Sequence, residues 1–125
     1  MSLTNWGEAY ALDDVLANSL WYLALFTTAP SETATGTEVV GTGYARVLVT
    51  SWAAAIQGAP STKSNSGAIS FPAAGASWGT VTHWALYDAA SGGNSLWYGT
   101  LTVARLVSTG DVATFASGNL TLTMD

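Results

Sequence analysis

The chain has 125 residues, 49% of them apolar and only 9% charged, with a net charge of −5 and no cysteine. A soluble domain ordinarily carries about 25% charged residues, so solubility here rests on Thr, Ser, Gly and backbone polarity. The composition excludes disulfides and thiolate metal sites, six Trp and five Tyr argue against disorder, and three cations (Arg46, Lys63 and Arg105) are too few for a nucleic-acid or anionic-membrane partner.

The length suits a single domain over residues 1–125. No apolar run approaches the roughly 18 residues of a membrane span. Met1–Tyr10 lacks the basic and apolar regions of a signal peptide, so use without a cleaved leader is expected.

Residues 5–18 read as the one helix. Asn5 is the expected cap, with Glu8 three residues on as in a capping box. Ala9, Leu12, Val15 and Leu16 form its apolar face, Asp13 and Asp14 point outward, and Asn18 ends it. Leu20–Thr27 is apolar almost throughout and predicts a strand covered on both faces, closed by Ala29-Pro30-Ser31. Ser31–Thr42 is a long connection rich in Thr and Gly. Tyr44–Thr50 alternates and predicts a strand, and Gln57–Ser66 predicts a loop.

Ile69–Phe71 is a short strand stopped by Pro72. Thr80–Tyr87 and Leu96–Val103 are strands joined by Asp88–Asn94, whose Gly-Gly-Asn suits a hairpin loop. Val112–Ala116 and Leu120–Met124 flank the turn Ser117–Asn119 and are expected to close as a second hairpin. Short strands, regular turns and one helix predict a mainly β fold. It is read as a single antiparallel β-sandwich or β-barrel with one short N-terminal α-helix and strands from about residue 20 to residue 124.

Chemistry-bearing residues are scattered. His83 is the only histidine. Asp88, five positions on, falls on the opposite face of an ideal strand, so a hydrolase built on the two is the weakest reading. The acids show no ligand spacing and no facing pair, and Gly36, Gly41 and Gly43 are not followed by the Lys of a phosphate loop. No catalytic residue, metal or cofactor is expected. The aromatic residues divide in two. Trp21, Trp84 and Trp97 lie in strand patterns and are assigned to packing, whereas Trp52 and Trp78 flank loops and are the candidates for exposure, able to anchor a protein interface or stack on a sugar. Arg46 and Arg105 lie amid apolar residues. Each reads either as a solvent-facing side chain with a buried stem or, since a partly buried Arg keeps its charge and must find acceptors, as the partner of an acid of its own or a neighbouring subunit. The candidate interface set is Trp52, Trp78, Arg46, Arg105, Glu38 and Tyr44.

These residues also form a recognisable series. Tyr22–Pro30, Gly36-Thr37-Glu38-Val39, Gly43-Tyr44-Ala45-Arg46, Phe71-Pro72-Ala73-Ala74 and Trp78–Ala90 resemble a group of small tailed-phage virion proteins. Gly92-Gly93-Asn94, Tyr98-Gly99, Gly110-Asp111 and Phe115–Leu120 continue the resemblance in order along nearly the whole chain. Such proteins are labelled tail fibre-like or head decoration proteins. The resemblance implies a non-enzymatic structural role on the virion surface for a protein made in the host cytoplasm. One domain leaves no length for a fibre shaft, which favours a capsid decoration or cement protein. The alternative is a tail fibre or baseplate component, with a glycan-binding receptor module as a variant. Expected partners are further copies of the chain, as a trimer for example, and the major capsid protein or other virion subunits. The Ser31–Thr42 and Gln57–Ser66 loops are the expected contacts.

Overall fold

The structure is a computed structural model, described over residues 3–33 and 36–124. Residues 34 and 35, within the long connection, lie outside the described residues. The fold is mainly β with antiparallel strand registers and one N-terminal helix, as the sequence predicts. The sheets are open, so the barrel alternative does not hold. The chain divides into two compact units. One comprises Met1–Leu20, Val49–Ile69 and Phe115–Asp125, the other Trp21–Leu48 and Ser70–Thr114.

The second unit is built on a four-stranded sheet in the order β2-β1-β5-β6. Its strands are β1 (Tyr22–Phe26), β2 (Val47–Leu48), β5 (Gly79–Tyr87) and β6 (Ser95–Val107). Leu23, Ala24, Leu25 and Phe26 are all buried. Alternation sends Ala24 and Phe26 to one face, where they meet Ala85 and Tyr87, and sends Leu23 and Leu25 to the other with Trp84 and Leu86. Burial on both faces is what the unbroken apolar run of β1 encodes. The β5–β6 hairpin closes through Asp88–Asn94 as expected, with Gly92 and Gly93 at positive φ. Asp88 locks this loop by accepting from the Asn94 backbone N–H at 2.7 Å and from its side-chain amide. β6 runs four residues past its predicted end. Between the pairs Val81–Arg105 and His83–Thr100, residues 101–104 of β6 bulge opposite Thr82 alone.

The predicted strand Tyr44–Thr50 shrinks to β2, because β1 divides its second edge between two segments. β2 pairs with Tyr22 and Leu23, while Glu38 bridges to Phe26 and Val39 N–H donates to the Leu25 carbonyl. Between them the Leu25 N–H donates to the Tyr44 hydroxyl at 3.1 Å, so a side chain completes what backbone does elsewhere.

In the first unit, α1 (Asn5–Ala17) packs on a two-stranded antiparallel sheet of β3 (Ser61–Ser64) and β8 (Thr121–Met124). Ala9, Leu12 and Leu16 are buried as predicted, as are Leu120 and Leu122. The cap is Thr4 and not Asn5: the Thr4 hydroxyl accepts from Gly7 N–H at 3.1 Å. Glu8 is therefore free of a capping box. It is buried and bonded to the Ser61 hydroxyl. Asn18 ends the helix as expected, its amide donating to the Asp14 carbonyl. β3 corrects the loop expected over Gln57–Ser66. Its sequence Ser-Thr-Lys-Ser is polar because its inward groups bond instead of packing apolar surface: Ser61 to Glu8, and Lys63 to Asp13 of the helix. The buried Asn65 follows, donating to the Gly67 and Ala116 carbonyls and accepting from Leu120 N–H. The turn Ser117–Asn119 is held by this clamp and not by a hairpin. β7 (Thr114–Phe115) pairs with β4 (Ile69–Ser70), and β8 pairs with β3, which overturns the second expected hairpin.

Candidate functional site

Three of the six candidate residues meet in the second unit, and a fourth adjoins them. Glu38 sits where the chain bridges back to β1, and Arg46 immediately precedes β2. The Arg46 fork grips Glu38 through two bonds of 2.9 Å, Nε to Oε2 and Nη2 to Oε1. Its remaining nitrogen, Nη1, donates to the carbonyls of Ala89 at 2.9 Å and Gly92 at 2.7 Å in the hairpin loop. The guanidinium carbon lies 3.9 Å from the centre of the Tyr87 ring. Tyr44 completes the junction, its hydroxyl donating to Glu38 Oε2 at 2.6 Å while accepting from β1. One arginine thus ties the bridge segment, the start of β2 and the β5–β6 loop together with planar, charge-assisted bonds.

The electrostatics follow from this packing. Burial is the largest influence on Glu38 and works against its charge, but the hydrogen bonds from Arg46 and Tyr44 and the guanidinium charge outweigh it, leaving the carboxyl below its ordinary value. Burial, reinforced by the Glu38 carboxylate, holds the Tyr44 phenol well above its ordinary value. The bond to Glu38 raises Arg46 further, against the effect of burial. Every group at this junction is fixed in the protonation state that holds the loops together. None is poised for proton transfer near neutrality.

Trp78 corrects the expectation of exposure: it is 4% exposed, meets Tyr44 edge-on at 5.4 Å and donates its indole N–H to the Thr42 carbonyl. Trp52 is half-buried in the first unit, bridged to Asn65. Arg105 is exposed on β6. His83 and Asp88 serve separately, the ring nitrogen of His83 2.7 Å from the Thr82 hydroxyl and the Asp88 carboxylate on Asn94.

Two exposed apolar features escaped the sequence reading. On α1, the rings of Trp6 and Tyr10 stack at 5.3 Å, and both residues are about 60% exposed. Their i, i+4 spacing was the available signal. On the edge strand β6, Val103 and Leu106 are 58% and 65% exposed and flank Arg105. They belong to a near-continuous apolar run that reads as core when its edge position is unknown.

The molecule is a mainly β protein with open antiparallel sheets, whose buried polar groups hold loops in place. A family model described as podophage GP4 fiber I protein gp80 matches residues 7–123, and the chain belongs to that family. Among curated proteins, nothing matches the chain. The chain is accordingly a small tailed-phage virion structural protein of a family that carries a fibre label.

Proposed function

We propose that the chain is a fibre component of the virion that works by non-enzymatic docking, with the outer half of β6 as its contact with a second copy of itself. The observation that carries this reading is the exposed apolar edge Val103–Leu106 in a protein with only 9% charge. Exposed edge strands are normally blunted by charge, proline or cover. β6 offers one charge there, Arg105, and a bulge that includes the exposed Val103. In a protein that assembles, the same surface supplies the apolar centre of an interface, with Arg105 beside it as an anchor of the type enriched in such contacts. The family's fibre label favours the tail over the capsid decoration role inferred from length.

Sedimentation equilibrium tests the proposal. The wild-type chain is expected to associate reversibly, and Val103→Lys with Leu106→Lys to yield monomer with an unchanged circular dichroism spectrum. A wild-type chain that is monomeric at high micromolar concentration, or association untouched by both substitutions, overturns it. The contact loop expected at Ser31–Thr42 is the competing surface, since Gln57–Ser66 is largely taken up by β3. Deleting residues 32–36 should leave self-association intact.

A further inference from the structure

On α1 the exposed residues Trp6, Tyr10 and Asp14 stand four apart in succession and so form one stripe along the helix. Leu3, also exposed, lies just ahead of the cap residue Thr4. The Trp6 and Tyr10 rings stack on each other, so the stripe is an aromatic surface that ends in an acid. Asp14 makes no ion pair among the described residues, whereas its neighbour Asp13 is taken by Lys63. The last turn of α1 holds no basic residue, so the Asp14 carboxylate lies uncompensated near the negative end of the helix dipole. The stripe therefore suits a partner that brings apolar side chains and a cation together.

A second copy of the chain carries that combination. Of its three cations, Arg46 and Lys63 are held in internal ion pairs. Arg105 makes none among the described residues and is exposed between the exposed Val103 and Leu106. Pairing two β6 edges would offer Arg105 no carboxylate, since Ser95–Val107 contains no acid. The stripe on α1 offers Asp14, together with rings on which a guanidinium can lie, as Arg46 lies 3.9 Å from the centre of the Tyr87 ring within the chain. A helix laid across it is also one of the ways in which proteins cover an exposed edge strand. We propose that the self-contact is heterologous: the Val103–Leu106 edge of one copy docks on the Leu3, Trp6, Tyr10 and Asp14 stripe of the next, with Arg105 against the aromatic pair and Asp14. This rests on self-association through β6 and adds the surface that receives it. Two different patches meet, so each copy can engage two neighbours, and the contact builds a ring or a row instead of a face-to-face pair.

Mixing two disabled chains tests it. Trp6→Ala with Tyr10→Ala removes the receiving stripe, and Val103→Lys with Leu106→Lys removes the edge. In sedimentation equilibrium each variant alone is expected to be monomeric, with an unchanged circular dichroism spectrum. Their equimolar mixture is expected to form a one-to-one heterodimer, because it holds one intact patch of each kind. Asp14→Arg and Arg105→Asp should each weaken self-association about ten-fold or more, and the two combined in one chain should restore it. Both positions are exposed, so this charge exchange carries the test should the aromatic variant fail to fold. An aromatic variant that associates like the wild type, a mixture that stays monomeric, or a charge exchange that restores nothing overturns the heterologous contact. Association through β6 still stands in those cases if the β6 variant alone is monomeric and the wild type is not. A monomeric wild-type chain overturns both.

Discussion

Arg46 makes four hydrogen bonds and one ring contact, and no other cation of this chain is so fully engaged among the described interactions. Lysine keeps the charge but not the fork. Arg46→Lys is therefore expected to lower stability by about 1–3 kcal/mol, read as a fall in the urea midpoint. Tyr44→Phe should cost about 1–2 kcal/mol by the same measure, since it leaves the Leu25 N–H and one Glu38 oxygen each a partner short. The pH dependence has a definite sign. The Glu38 and Asp13 carboxyls are held below their ordinary values of 4.5 and 3.8, Asp13 mainly by its bond from Lys63. Their contribution is thus fully present above those values and is lost as pH falls through the lower folded-state ones. The melting temperature should be flat from pH 7 to pH 5 and drop below about pH 4. Arg46→Met should remove part of that drop. The sequence showed that a partly buried Arg46 needs an acceptor. It could not show that Glu38 is the acceptor, because seven residues of irregular chain lie between them and only the return of the chain to β1 brings them together.

At the scale of elements, legibility followed the source of the information. β1, the β5–β6 hairpin and α1 were readable because hydrophobic spacing and turn chemistry are local signals. β3 was not readable, because Ser61, Lys63 and Asn65 are buried by bonding to Glu8, Asp13 and the 116–120 turn, partners more than 45 residues away. Polar residues at alternate positions in a Gly-, Pro- and Ser-rich stretch look like a loop until those partners are known. Replacing Asn65 by Leu removes three bonds and leaves Leu120 N–H without its buried acceptor. A loss of about 2–4 kcal/mol is expected, with the 116–120 amides exchanging fastest in hydrogen-exchange mass spectrometry. β6 has a counterpart at Gly99. A Cβ there would lie 2.6 Å from the Trp84 indole that crosses it. Gly99→Ala is expected to cost about 1–3 kcal/mol by overpacking and to shift Trp84 fluorescence.

For the whole molecule, low charge acquires a structural meaning. Arg46 and Lys63 are committed to internal ion pairs, and Arg105 is exposed on the edge strand. The surface therefore presents few cations to repel or steer a neighbour, and it exposes Trp6, Tyr10, Val103 and Leu106. Exposed aromatic and aliphatic side chains of this kind suit the interface proposed above, and a virion is an assembly in which repeated weak contacts sum. The fibre-type virion role is tested most directly by labelling purified phage particles with gold-conjugated antibody raised against this chain. Gold at the tail, on its fibres, is the result predicted here; gold spread over the capsid, or particles that carry none of the chain, would contradict it.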